Sequence, residues 1–128
     1  MILDSSAIVG IVLREPGFES LVSKVAEAET LAVGAPTLAE AGIVLTARLG
    51  KEARGLLQGL LREWDAATVA FGEEHWREAV TAYDRFGRGR HRAQLNFGDC
   101  MAYAVAKLAG EVLLCTGSDF PKTDLELA

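Results

Sequence analysis

The sequence predicts an α/β domain in which a parallel sheet is covered by helices on both faces. Three observations carry this. Short apolar segments, ILD at 2–4, TLAVG at 30–34 and VLLC at 112–115, are bounded by turn-forming residues, as expected of strands buried on both sides. Longer segments between them place apolar residues at helical spacing. Pro and Gly punctuate the joins. Strands alternating with amphipathic helices give a parallel sheet, and 128 residues suit one domain, 1–128, around one core.

The elements follow in order. Residues 2–4 form the first strand, and Ser5 or Ser6 caps a helix that runs to about Arg14, where Pro16 and Gly17 break it. Phe18, Leu21, Val22 and Val25 mark a second helix through about Ala28, and Thr30–Gly34 a second strand. Pro36 and Thr37 open a long helix that Gly50 ends. Leu56, Leu57, Leu60, Leu61 and Trp64 form a further stripe, and Ala67–Val69 a strand. Glu73–Phe86 is helical, with Trp76, Val80 and Tyr83 expected to face the core. Gly87–Gln94 is a basic loop, Asn96–Leu108 a helix, and Val112–Cys115 a buried strand. A turn at Pro121 and a short strand over Leu125–Leu127 close the chain.

Composition narrows the function. Half of the residues are hydrophobic, which excludes a disordered chain. No apolar run approaches the ~20 residues of a membrane span, and MILDSSAIVG lacks the basic region of a signal peptide, so a cytoplasmic protein without membrane contact is expected. Two cysteines, Cys100 and Cys115, sit in apolar segments and read as buried, reduced thiols. His75 and His91 fit no zinc motif. Thirteen basic against 18 acidic residues leave a net charge of −5. Any nucleic-acid binding must therefore rely on local basic residues or on metal ions.

Four acids stand out, and each has an ordinary explanation. Asp4 follows the first strand and suits a helix start. Glu40 completes T-x-x-E from Thr37, a capping box. Asp99 lies three residues after Asn96, where it can bond back to the cap and meet the positive end of the helix. Asp119 follows Gly117 and Ser118 in a turn. Yet Asp4 and Asp119 each follow a buried strand, Glu40 lies on the helix after the second strand, and Asp99 on the helix before VLLC. In a parallel sheet these positions converge at the carboxyl ends of the strands, where ligands bind. Clustered carboxylates repel at neutral pH unless a cation joins them, and hard cations such as Mg²⁺ and Mn²⁺ take oxygen ligands. Metal-assisted hydrolysis of a phosphodiester is the natural chemistry, since it needs no Ser or Cys nucleophile.

With these motifs in view, the chain resembles the PIN-domain ribonucleases, specifically the VapC toxins of bacterial toxin–antitoxin pairs. MILDSSAIVGIVLREPGFE looks like the family's opening, PTLAEAGIVL its second acidic motif, GRGRHRAQLNFGDCMAYAVAK its third and LLCTGSDFPKTDLELA its ending. The resemblance implies a three-layer α/β/α PIN-like domain with a central, mostly parallel sheet. It implies a Mg²⁺- or Mn²⁺-dependent endoribonuclease whose partners are RNA, a cognate VapB-type antitoxin and a second copy of the chain. Carried over by position, Asp4, Glu40, Asp99 and Asp119 are the catalytic and metal-binding acids, Asp4 and Asp99 foremost. Ser6 and Thr116 match hydroxyl positions that orient them. Asp124 also matches the family's pattern, and we read it as structural.

The basic loop offers Arg88, Arg90 and Arg92 to RNA phosphates, with Arg85 just before it. The leucine-rich and aromatic stripes are mostly core, with one available to a partner. Two other classes remain in view. A non-catalytic RNA- or protein-binding module would explain the arginines but leave the four acids idle. An aspartyl phosphotransferase built on Asp4 wants a second Asp two residues on, where Ser6 stands.

Overall fold

The computed structural model describes residues 1–128. Four strands, β1 (Ile2–Leu3), β2 (Ala32–Gly34), β3 (Ala67–Val69) and β4 (Leu113–Leu114), alternate with six helices: α1 (Ser5–Val12), α2 (Phe18–Glu27), α3 (Ala35–Leu49), α4 (Arg54–Glu63), α5 (Glu73–Phe86) and α6 (Phe97–Ala109). The sheet order is β3-β2-β1-β4, and every pairing is parallel. The sheet is thus wholly parallel; β1, β2 and β4 are shorter than the apolar segments that predicted them, and β3 matches its predicted bounds. The expected last strand is a single parallel bridge from Leu127 to Leu113, and the turn at Pro121 is one 3₁₀ turn, Phe120–Lys122.

Strand alternation builds two cores. Ile2 and Leu113 face one side, where they pack with Ala79, Ala82 and Phe86 of α5 and with Tyr103 and Val105 of α6. Their neighbours Leu3 and Leu114, with Val33, face the other side and meet Ala7 and Ile8 of α1, Leu21 of α2, Leu45 of α3 and Leu57 of α4. Successive side chains of a strand point to opposite faces, so two-residue strands suffice to join three layers. Gly50 and Gly110 close α3 and α6 in the left-handed conformation, at φ 69° and 64°, which glycine adopts without a Cβ penalty.

One expectation about packing fails. Trp76, Val80 and Tyr83 do not face the core; they are 47%, 61% and 46% exposed, while Ala79, Ala82 and Phe86 are buried instead. α5 lies against α6, and Ala79 and Ala82 of the one share a buried cluster with Ala102 and Ala106 of the other. Small side chains allow that close approach and turn the bulky stripe outwards. Leu56 of α4 is likewise exposed and Leu57 buried.

The strand order sets where a ligand can sit. The chain steps from β1 outwards to β2 and β3, then returns to place β4 on the other side of β1. The carboxyl ends of β1 and β4 therefore flank a switch point, the usual ligand crevice of an open parallel sheet. α6 runs back towards the start of β4, so its N-terminus lies at this same end.

Candidate active site

Asp4 follows β1 directly and is 4% exposed. It is itself the N-cap of α1, which corrects the assignment of the cap to Ser5 or Ser6. Its Oδ2 accepts the Ser6 backbone N–H at 3.1 Å and the Ser6 hydroxyl at 2.5 Å. Its Oδ1 is buried with no hydrogen-bond partner. Capping thus uses one oxygen and leaves the other free for a ligand. Burial, with the Glu40 charge added, raises the Asp4 pKa against the opposing Ser6 bonds. The Ser6 oxygen also accepts the Thr116 backbone N–H at 3.0 Å, so the loop after β4 is held to the same serine that bonds Asp4.

Glu40 is not part of a capping box. α3 begins at Ala35, with Gly34 as its N-cap and no side-chain cap. Thr37 is buried inside the first turn, 2% exposed. Pro36 misled the reading: proline suits the first turn of a helix generally, and here the helix starts one residue before it. Freed from capping, the Glu40 carboxylate accepts a hydrogen bond from the Ser5 hydroxyl and lies against Gly98 of α6. The first residue of α1 and the first turn of α6 therefore both touch it.

Asp99 is the capping residue that its spacing from Asn96 predicts. The Asn96 side chain accepts from Asp99 N–H at 2.9 Å, and Asp99 Oδ2 accepts from Asn96 N–H at 3.0 Å, a reciprocal cap at the third helical position. Burial, then the charges of Asp4, Asp119 and Glu40, push its pKa to about 6 against the Asn96 bond. Asp119 stands half-buried just before the 3₁₀ turn. The structure thus brings the charges of Asp4, Glu40 and Asp119 to bear on Asp99, and that of Glu40 on Asp4. They are not pre-assembled, because no three of them are arranged to share an ion and Asp4, Glu40 and Asp99 are each drawn to a local donor.

No cysteine competes for the chemistry. Cys100 and Cys115 are free, and burial, followed by the nearby aspartates, pushes both thiols up to about 11, so neither supplies a thiolate at neutral pH. Asp124 is structural, as expected. It accepts from the Tyr103 hydroxyl at 2.7 Å and pairs with Lys107 at 2.9 Å and Arg85 at 3.3 Å, tying the C-terminal segment to α5 and α6.

Of the basic loop, Arg88 and Arg92 are exposed and their side chains make no ion pair, whereas Arg90 pairs with Asp84 at 2.7 Å. His91 packs edge-on to Phe86 at 5.1 Å, and its Nδ1 accepts the Ala93 N–H at 3.1 Å, a structural histidine. Trp76, Val80 and Tyr83, with Phe97, Phe71 and Met101, line an open groove of about 670 Å³. Sequence reasoning missed Ser5 and Gly98; the doubled hydroxyl in DSS and the glycine directly before Asp99 were the available signals.

The fold is that of a PIN domain, and a PIN-domain family model matches residues 1–126. The chain belongs to that family, among its VapC ribonucleases. It is 47% identical over 127 residues to Ribonuclease VapC36 of Mycobacterium tuberculosis, covering 98% of this chain and 91% of that protein. It is 38% identical over 125 residues to Ribonuclease VapC of Mycolicibacterium smegmatis, covering 98% and 97%. Two solved structures share the fold. One is Mycobacterium tuberculosis VapC20, a sarcin–ricin-loop-cleaving toxin, with a TM-score of 0.81, 14% identity, and 99% and 97% of the two chains covered. The other is a toxin–antitoxin complex from Klebsiella pneumoniae, at 0.72 and 13%, covering 99% and 95%. No helix is long and apolar enough to cross a membrane.

Proposed function

We propose that the chain is a Mg²⁺- or Mn²⁺-dependent endoribonuclease toxin of the cytoplasm, restrained by a cognate VapB-type antitoxin. The observation that carries this is Asp4 Oδ1, a buried carboxylate oxygen without a partner, whose carboxyl feels the Glu40 charge and acts on Asp99. An unpaired buried charge is costly, and a cation at that oxygen would offset the cost. The donors are carboxylate and hydroxyl oxygens, the set that hard divalent cations take. Asp4 and Asp99 are the ligands we assign, with Glu40 and Asp119 beside them.

When bound, such an ion supplies an activated water and charge stabilisation for a phosphodiester. The chain's own residues do the rest. Ser6 fixes the plane of the Asp4 carboxylate through two bonds to Oδ2. Asn96 orients Asp99 through their reciprocal bonds, and Asp99 would hold the ion together with Asp4. Arg88 and Arg92, free of ion pairs, meet the RNA backbone. The non-catalytic alternative is not favoured by the relatives, which are named as ribonucleases.

A second copy of the chain is the other partner we propose. Four large apolar side chains, Trp76, Val80, Tyr83 and Phe97, the last 80% exposed, gather around one open groove, and clustered exposed apolar surface of this kind marks interaction sites. Sedimentation velocity of the wild type and of Val80→Asp tests this, with a shift from dimer to monomer expected. The catalytic reading is tested by incubating antitoxin-free protein with RNA, with and without a chelator. Cleavage that needs added Mg²⁺ or Mn²⁺ is expected; equal cleavage in chelator would refute it.

A further inference from the structure

The glycine before Asp99 has no backbone reason to be there. Gly98 lies in the first turn of α6 with ordinary helical backbone, where alanine is the better helix former. What it provides is space. A Cβ at this position would collide with Glu40 Oε2 and stand 2.8 Å from Glu40 Cδ and 3.0 Å from Oε1; its three nearest neighbours all belong to this one carboxylate. On the other side, the Ser5 hydroxyl donates to Glu40 Oε1.

We infer that Gly98 and Ser5 form a seat for the Glu40 carboxylate and are positioning residues for the acidic site. Gly98 opens the space and Ser5 supplies the hydrogen bond that holds the side chain in it. The seat has a clear logic. Glu40 has three rotatable bonds and projects from a third element, α3, towards acids that repel it. Without a donor and a matching gap it would swing out to solvent. Gly98 and Ser5 each adjoin a principal acid, Asp99 and Asp4, so the placement of Glu40 is tied to both. The inference rests on the metal-dependent reading above for its consequence; the seat itself is made by the chain's own side chains.

A double-mutant cycle tests it. Ser5→Ala, Gly98→Ala and the double variant are unfolded by urea in chelator, and Mn²⁺ affinity of the folded proteins is then measured by water-proton relaxation. Gly98→Ala is expected to fold, because only the end of a flexible side chain must give way. Ser5→Ala should lower the urea midpoint in the wild-type background and leave it unmoved in the Gly98→Ala background, where Glu40 has already left. Mn²⁺ binding by Gly98→Ala should weaken about tenfold, the usual effect of losing a group that orients a ligand. The same Ser5→Ala effect in both backgrounds would overturn the inference, as would a Gly98→Ala chain that does not fold, or one that binds Mn²⁺ as the wild type does. If the wild type itself binds no Mn²⁺, the metal-dependent reading fails, and the urea cycle alone decides whether the seat exists.

Discussion

Ser6 donates its hydroxyl to Asp4 Oδ2 at 2.5 Å, and the same hydroxyl oxygen accepts the Thr116 N–H at 3.0 Å. One side chain thereby joins the end of β1 to the end of β4, across the switch point of the sheet. Ser6→Ala removes a donor from a buried carboxylate and an acceptor from a loop amide. The expected cost is about 1–3 kcal/mol of stability, read by urea unfolding. Cleavage should fall about tenfold or more, since the carboxylate loses its orientation. Undiminished cleavage would show that Ser6 orients nothing.

The raised pKa of Asp99 has a signed consequence for stability. Its ordinary value is 3.8 and its folded value about 6. Between the two, the folded chain binds more protons than the unfolded one, so stability falls as pH rises through this window and the penalty is complete above about 6. Asp99→Asn removes the penalty. In metal-free buffer at pH 7.5 the variant should be more stable than wild type, on the order of 1 kcal/mol once solvent screening at a half-exposed group is allowed for. The gain should vanish below pH 4. Thermal melts at the two pH values check this.

Asp124 behaves oppositely. Burial pulls its pKa up, but the Tyr103 hydroxyl, Lys107 and Arg85 outweigh it and hold the carboxyl at about 2, below its ordinary 3.8. Its contribution is fully present above the ordinary value and is lost as pH falls through about 2. Tyr103 is wholly buried, so Asp124→Ala leaves its hydroxyl unpaired at a cost of about 2 kcal/mol. Asp124→Asn keeps that acceptor and loses only half-exposed ion pairs, costing under about 1 kcal/mol. Urea midpoints of the two variants should therefore separate.

Arg88 and Arg92 are free of ion pairs, whereas Arg90 must leave Asp84 to reach a phosphate. An exposed pair holds it weakly, so Arg88→Ala with Arg90→Ala should still weaken RNA binding. The slope of log affinity against log salt should flatten by about 0.7 for each phosphate of single-stranded RNA that an arginine no longer neutralises. Filter binding in the Asp99→Asn background, expected not to cut the RNA, across salt concentrations, measures it. An unchanged slope would remove the loop from the interface.

Much of this was readable before the structure, and the failures have physical causes. Ala67–Val69 and Glu73–Phe86 match their observed bounds, because apolar runs and helical periodicity with clean breakers leave little choice. The exposed face of α5 was misread because periodicity reports a stripe, not which side packs; the alanines that meet α6 carry less hydrophobic weight than Trp76 and Tyr83. The T-x-x-E motif was misread at Glu40 because a capping box is a local pattern, whereas the helix start was set by Gly34 at the end of β2. That Asp4, Glu40 and Asp119 lie near Asp99 was legible from their order along the chain relative to the strands. Ser5 and Gly98 were not, since their role exists only where α1, α3 and α6 meet.

The most direct measurement compares RNA cleavage by wild type and Asp99→Asn, both purified without antitoxin and shown to be folded, with Mn²⁺ added after chelation. Asn keeps the bond back to Asn96 but loses the charge. The account predicts a folded Asp99→Asn chain that cuts no RNA, beside a wild type that cuts only with metal. An Asp99→Asn chain that cuts as the wild type does, or one that simply fails to fold, would contradict it.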